Sequence, residues 1–139
     1  MRFRTHYTRN QARALLPKIR KWLKRLVELR HEMEKCDKRL NTMLEPGKDL
    51  GGPVVNGWVR ILADVKTVLS EFHRRDIQIK DLDRGLIDFP AILDEKEVFL
   101  CWEQEEEDIE FWHDLDSGYA GRERITGDCL LYTSPSPRD

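Results

Sequence analysis

The feature that most constrains the fold is a run of apolar residues that recur at alternating steps of four and three. Such a repeat places the apolar side chains on one stripe of an α-helix that packs lengthwise against another helix. Thr8 followed by Gln11 is a capping-box pattern, so the helix is expected to start near Arg9 and to end near Met43. Pro17 is expected to kink this helix without ending it. The apolar positions are Leu15, Ile19, Trp22, Leu26, Leu29, Met33, Cys36, Leu40 and Met43.

A second helix is expected after a segment rich in glycine and proline. Residues 45–57, EPGKDLGGPVVNG, contain four glycines and two prolines, and we interpret them as the loop of a helical hairpin. The helix that follows, at about 57–75, repeats the three-four spacing and is expected to pack antiparallel against the first. The hairpin residues predicted in the core include Trp22, Leu26, Val65 and Leu69.

After Asp76 the apolar period becomes alternating, which predicts β-strands. Four stretches carry this alternation between charged turns: IQIKD, LIDFPAI, EVFLCWE and DIEFWHD. They predict an antiparallel meander over about 77–114, with Phe3 to Tyr7 as an additional edge strand. The predicted fold class is α+β, with a long antiparallel helical hairpin packed on a small antiparallel β-meander.

The register of the last two strands decides which side chains enter the core, because a shift of one residue turns a strand's apolar set to the other face. We pair Leu100 with Phe111 and predict that both are core residues. The other residues predicted on their face are Ile87, Phe89, Ala91, Val98, Trp102, Ile109 and His113. The opposite face is predicted to carry Asp88, Phe99, Cys101, Trp112 and Asp114.

Length and composition are those of one soluble domain. The 139 residues are 36% charged with a net charge of −2, and no apolar run approaches the roughly 18–20 residues of a membrane span. The absence of a signal-peptide pattern, together with three widely spaced cysteines, predicts a cytoplasmic protein with no membrane partner. Residues 1–128 are expected to form a single α+β domain. Residues 129–139, CLLYTSPSPRD, resemble a translated sequencing adapter, so a native chain would be truncated near Asp128 and Cys129 has no expected role.

Charge is distributed unevenly along the chain. Residues 1–39 hold 13 Lys/Arg against 4 Asp/Glu, whereas residues 81–128 hold 4 against 16. The basic first helix interleaves its charges with an apolar run, and the acidic half repels phosphate, so a nucleic acid is not the expected partner. The opposed charges favour contacts within the chain or with a protein partner.

Four stretches, RALLPKIR, GLIDFP, LCW and FWHDLDSGYAGR, resemble the bacterial domain-of-unknown-function family 2203. The resemblance extends from about Tyr7 to Arg124. It implies a small cytosolic bacterial protein, and it transfers no catalytic residue because the family has no settled activity. The chain departs from the family pattern after LCW, where residues 105–108 are all acidic in place of a glycine turn.

The candidate chemical site centres on FWHDLDSGYAGR, residues 111–122. His113 can act as a general base or metal ligand beside Asp88, Asp114 and Asp116, although a lone histidine on an apolar strand face is more often a hydrogen-bonded core residue. Arg122 can hold a small anion or form an ion pair with Asp88 or Asp114, and the ion pair is the preferred interpretation. DLDSG lacks the further oxygen ligands of a calcium loop, so no metal site is assigned. The candidate ligand or anion site therefore comprises five residues: Asp88, His113, Asp114, Asp116 and Arg122.

The predicted function is non-enzymatic. Cys101 is interpreted as an apolar filler because no base is expected opposite it, and with Phe99 and Trp112 it forms the predicted interaction surface. The long first helix presents more apolar surface than the shorter second helix can cover, which favours a homo-oligomer or docking on a protein partner. The alternative is a small-molecule, anion or metal-binding protein, with or without enzymatic activity, that uses the 111–122 segment. The sequence names no cofactor.

Overall fold

The computed structural model describes residues 1–43, 52–126 and 131–132. The described residues divide into two compact units. The sheet unit comprises residues 1–20, 72–126 and 131–132, and the helical unit comprises residues 21–43 and 52–71. Within these described ranges, no helix is long and apolar enough to cross a membrane.

The predicted helical hairpin is confirmed. Helix α1 spans Arg9–Met43 and helix α2 spans Gly52–His73. The capping box forms at the start of α1, where the Gln11 amide donates to Thr8 Oγ1 at 3.1 Å and the Thr8 amide donates to Gln11 Oε1 at 2.9 Å. Within the helical unit, Arg25 pairs with Asp64 at 3.5 Å and Cys36 Sγ donates to the Val54 carbonyl at 3.4 Å. These contacts run in opposite chain directions, as an antiparallel pair requires.

Helix α2 begins earlier than the sequence predicted. The predicted loop 45–57 includes residues 52–57, which form the first turns of α2, while residues 45–51 lie outside the described part of the chain. Pro53 is tolerated because the first turn of a helix leaves its N–H groups without intrahelical partners, so a missing donor costs nothing there. The glycine and proline content alone was therefore a poor marker of the boundary.

The predicted meander is also confirmed and is extended by two short strands. Its strands are β1 (Gln78–Asp81), β2 (Leu86–Leu93), β3 (Lys96–Glu103), β4 (Phe111–Asp114) and β5 (Glu123–Arg124), hydrogen-bonded in that order. Strand β6 (Leu131–Tyr132) pairs with the end of β2. Each pairing is antiparallel.

The predicted edge strand at Phe3 to Tyr7 does not form. The backbone donors of this segment bind side-chain carboxylates: the Phe3 amide donates to Glu97 at 3.0 Å, and the Thr5 amide donates to Asp76 at 3.0 Å. The Tyr7 amide alone reaches β2, where it donates to the Pro90 carbonyl at 2.8 Å. Because carboxylates occupy these donors, the segment has no strand ladder.

The predicted register between β3 and β4 is wrong by one residue. Leu100 lies opposite Trp112, and Cys101 lies opposite Phe111. The faces of β2 and β3 are as predicted, because Phe89 lies opposite Leu100. The shift turns Phe111 and His113 onto the face that carries Asp88 and Cys101, and this single correction assembles the candidate site.

The core differs from the prediction at several positions. Leu26 and Leu100 are buried as predicted, whereas Trp22 is half-buried and Leu69 is 42% exposed. Val65 and Phe111 are also half-buried. In the first half of α1, Leu16 and Leu23 are buried where Leu15 and Trp22 were predicted, whereas Ile19 is buried as predicted.

Candidate functional site

Three adjacent strands bring Asp88, Cys101 and His113 together on one face of the sheet. Asp88 and Cys101 are directly opposite each other in the β2–β3 pair, and His113 of β4 is diagonal to Cys101. The exposed fractions are 1% for Asp88, 0% for Cys101 and 2% for His113. One side-chain N, O or S atom of each residue lies within 4.8 Å of the other two. The prediction that no base faces Cys101 was wrong because it rested on the shifted register.

Both ring nitrogens of His113 face hydrogen-bond acceptors. Nδ1 donates to the Asp114 carbonyl at 2.6 Å, and Nε2 lies 3.0 Å from Asp88 Oδ2. Burial disfavours the charged ring, but the hydrogen bonds to Asp88, Cys101 and the Asp114 carbonyl outweigh it and raise the pKa of His113 to about 10. Both ring nitrogens can therefore donate, Nδ1 to the Asp114 carbonyl and Nε2 to Asp88 Oδ2.

Asp88 is only half satisfied. Its Oδ2 binds His113, whereas Oδ1 is buried and has no hydrogen-bond partner among the described residues. A buried carboxylate oxygen without a donor is rare, because removing it from water costs free energy that only a hydrogen bond or a cation returns. Asp88 Oδ1 is therefore an acceptor of this cluster that lacks a donor among the described residues.

The sequence predicted an ion pair of Arg122 with Asp88 or Asp114, but the structure pairs Arg122 with Glu106 instead. Its Nη2 donates to Glu106 Oε2 at 2.7 Å, and its Nη1 lies 3.9 Å from Cys101 Sγ. The guanidinium also lies over the rings of Phe111 and Tyr119, at 3.9 and 4.2 Å from their centroids. Arg122 therefore borders the buried cluster on its Cys101 side and is neutralised by Glu106, which lies in the connection between β3 and β4.

A glycine turn explains this placement of Arg122. Gly118 has a φ of 68° and precedes a single 3₁₀ turn at Tyr119–Gly121, which returns the chain towards β4. Tyr119 is tied to the sheet by its hydroxyl, which donates to Glu103 Oε1 at 3.2 Å. The sequence predicted an ordered turn here, and the structure places one.

Asp114 and Asp116 lie apart from the buried cluster. Both line an open depression of about 530 Å³ together with Lys96, Glu97 and Ser117. Asp114 pairs with Lys96, and the side chain of Asp116 is 98% exposed. The five predicted ligand residues thus separate into the buried Asp88–His113 pair, two surface carboxylates and Arg122.

Another buried histidine was not anticipated. His6 Nε2 lies 2.7 Å from Glu97 Oε2, and both side chains are largely buried. Burial raises the pKa of Glu97, but the hydrogen bond with His6 and the backbone hydrogen bonds from Arg2 and Phe3 outweigh it and lower the pKa. The sequence offers no signal for this pair, because residues 6 and 97 belong to segments that only the fold brings together.

The predicted interaction surface is not at the surface. Phe99 and Cys101 are 1% and 0% exposed, and Trp112 is half-buried. Exposed apolar side chains instead lie on α2, where they form a stripe, the α2 stripe, along one side of the helix. Its members, with their exposed fractions, are Val55 38%, Val59 55%, Leu62 40% and Leu69 42%. The sequence does contain a signal for the α2 stripe, because its members repeat at three-four spacing, one residue after the inner positions of α2.

Comparison with known proteins identifies a family without an assigned activity. The family described as "Uncharacterized conserved protein (DUF2203)" matches residues 5–125. No curated protein and no solved structure matches the chain. The family match agrees with the resemblance seen in the sequence.

Proposed function

We propose that this chain, which belongs to the DUF2203 family, is a self-association module in which α2 of one copy pairs with α2 of a second copy. The observation that carries the proposal is the α2 stripe. Exposed apolar residues that follow one another along a helix at coiled-coil spacing are typical of an interface, whereas single exposed apolar residues are ordinary.

The apolar surface of α2 is wider than one partner helix can cover. Its inner positions, Val54, Trp58, Ile61, Val65 and Val68, are buried or half-buried. The stripe adds a second apolar row beside them, and small residues such as Ala63 and Ser70 lie next to it. A helix facing solvent normally presents charged residues outside an apolar arc of one-third of its circumference. The exposed row of α2 is better explained by a second helix.

The spacing of the stripe favours a second copy as that helix. Val55 and Leu69 each lie seven residues from Leu62. If two α2 helices pair antiparallel with their Leu62 residues in contact, Val55 of each copy meets Leu69 of the other. Such a reciprocal pair of contacts is what a two-fold symmetric interface requires.

The expected affinity is modest. The segment from Val55 to Leu69 is about 21 Å long at about 1.5 Å per residue, which gives an interface at the small end of specific contacts. Lys66 interrupts the stripe with an exposed charge. A lysine inside a helical interface lowers stability and restricts the allowed register. We therefore expect a dissociation constant of about 1–100 µM.

Sedimentation equilibrium of the full chain tests the proposal over protein concentrations of about 1 µM to about 1 mM. We expect a monomer–dimer equilibrium that Val59→Glu weakens at least about tenfold, because it places a charge inside the interface. Lys66→Leu should strengthen it. Thr67→Glu is the matched control, since Thr67 is exposed on the same helix but outside the stripe.

Two results would contradict this proposal. One is a monomer at every concentration in both the original chain and Lys66→Leu. The other is an equal loss of dimer in Val59→Glu and Thr67→Glu, which would indicate a general charge effect instead of a contact through the stripe.

A further inference from the structure

We propose that Asp88, Cys101 and His113 bind one divalent transition-metal ion, of which Zn²⁺ is the type, at the buried centre of the sheet. These residues supply one carboxylate oxygen, one sulfur and one ring nitrogen within 4.8 Å of one another. A mixed oxygen, nitrogen and sulfur set is typical of Zn²⁺ and related ions, whereas Ca²⁺ and Mg²⁺ select oxygen alone. The proposal is independent of the α2 stripe.

The distances suit a tetrahedral ion after a small movement. Nitrogen and oxygen ligands about 2.0 Å from Zn²⁺ are about 3.3 Å apart at a tetrahedral angle, and a sulfur ligand at about 2.3 Å lies about 3.5 Å from them. His113 Nε2 and Asp88 Oδ2 are 3.0 Å apart. Cys101 Sγ lies no more than 4.8 Å from a ligand atom of each of the other two residues, so it needs a movement of about 1.3 Å at most.

The surroundings prepare His113 and Asp88 as ligands. The hydrogen bond from His113 Nδ1 to the Asp114 carbonyl, 2.6 Å long, fixes the proton on Nδ1 and directs Nε2 towards the cluster. A bond of this kind orients metal-binding histidines in general. Asp88 Oδ1, the buried oxygen with no partner among the described residues, is available to the ion as a second carboxylate contact.

Charge balance also allows a divalent ion to bind at this cluster. With His113 as a neutral ligand, a carboxylate from Asp88 and a thiolate from Cys101 supply two negative charges, which match the two positive charges of the ion. A proton that His113 Nε2 or Cys101 Sγ carries before binding goes to solvent when the ion takes its place, so the loaded cluster is neutral. Arg122 does not oppose the ion with an unbalanced charge, because Glu106 neutralises it at 2.7 Å.

Burial defines the kind of site. Cys101 is 0% exposed, so a substrate has no access to its sulfur, and a reactive cysteine requires such access. An ion at this point would link β2, β3 and β4 from the middle of the sheet. The geometry therefore points to a closed metal site that stabilises the fold.

Titration of chelator-treated full-length protein with Zn²⁺ by calorimetry, and with Co²⁺ by absorption spectroscopy, tests this site. We expect one ion per chain with a dissociation constant of about 1 µM or lower. Co²⁺ should give a sulfur-to-cobalt charge-transfer band and the strong visible bands of tetrahedral coordination. Cys101→Ser should abolish the charge-transfer band and weaken Zn²⁺ binding by at least about 100-fold, since even loss of an outer hydrogen bond can cost that much.

Matched variants separate this site from other thiols. Cys36→Ser removes a second buried thiol in α1, and Cys129→Ser removes the remaining cysteine; both should leave the cobalt spectrum unchanged. Asp88→Asn, nearly identical in shape to the original, should weaken binding while the circular dichroism spectrum stays native. The proposal is overturned if the original chain gives no sulfur-to-cobalt band, or if Cys101→Ser folds and binds Zn²⁺ as tightly as the original chain.

Discussion

The ion pair between Arg122 and Glu106 offers a quantitative test of the structure around the buried cluster. The two side chains are 14% and 17% exposed, so solvent screens their interaction only weakly. A charge-assisted hydrogen bond of 2.7 Å contributes about 1.5–3 kcal/mol, and the stacking of the guanidinium on Phe111 and Tyr119 adds about 0.5–1 kcal/mol for each ring. We therefore expect Arg122→Gln to lower the free energy of unfolding by about 2.5–5 kcal/mol.

A double-mutant cycle isolates the pair from the stacking. The free energy of unfolding is measured by urea denaturation in chelator for the original chain, Arg122→Gln, Glu106→Gln and the double variant. We expect a coupling of about 1.5–3 kcal/mol between Arg122 and Glu106. A parallel cycle with Asp88→Asn should give a smaller coupling than the cycle with Glu106, because among the described residues Arg122 forms its ion pair with Glu106 and reaches Asp88 only through Cys101. A negligible coupling with Glu106, or a larger one with Asp88, would refute this arrangement.

In metal-free protein the pKa of His113 rises from 6.5 to about 10 on folding. The stability that this histidine contributes is therefore complete below about pH 6.5 and is lost as the pH rises through about 10. Urea midpoints should fall over this pH window, and the midpoints of His113→Gln should change less. Leu100→Ala should lower the free energy of unfolding by about 2–5 kcal/mol, and Leu69→Ala should lower it by less than about 1 kcal/mol, because Leu100 is 0% and Leu69 is 42% exposed. Similar losses for the two variants in denaturant unfolding would contradict the assigned burial. Gly85→Ala should lower the melting temperature more than Gly118→Ala, because both have positive φ but only at Gly85 would the new Cβ meet a side chain, at 2.5 Å; equal shifts would count against that contact.

The elements could be predicted from the sequence because their signals are local. The apolar repeat and the capping box define α1, and the change of period after Asp76 defines the meander. The start of α2 was missed because glycine and proline within its first two turns were interpreted as a loop. Helix ends depend on a few backbone bonds, and composition alone does not report them.

The register of β4 could not be read from alternation, and the candidate site depended on it. Ile109 appeared to share the phase of Phe111 and His113, and all three were placed on one face. In the structure Ile109 precedes β4 and is buried outside the strand, where its carbonyl accepts a bond from Arg9 Nε at 2.6 Å. Its burial therefore says nothing about the strand's faces. One apolar residue beyond the strand end was enough to hide the Asp88–Cys101–His113 cluster.

The partner of Arg122 could not be predicted for a different reason. The segment 81–128 holds 16 acidic residues, and local sequence does not say which of them a folded-back arginine will meet. Two candidates on neighbouring strands, Asp88 and Asp114, were chosen over Glu106 in the β3–β4 connection. The choice is made by the turn at Tyr119–Gly121, whose direction is set by the backbone at Gly118.

The nitrogen chemical shifts of the His113 ring test the central claim most directly, which is that the sheet register presents His113 Nε2 to Asp88 and Cys101 as a metal ligand. In chelated protein near neutral pH, we expect long-range ¹H–¹⁵N correlation spectra to show protons on both ring nitrogens. One equivalent of Zn²⁺ should convert Nε2 to a metal-bound nitrogen while Nδ1 keeps its proton and its bond to Asp114. A His113 ring that titrates near its ordinary pKa of 6.5 and does not respond to Zn²⁺ would contradict the claim.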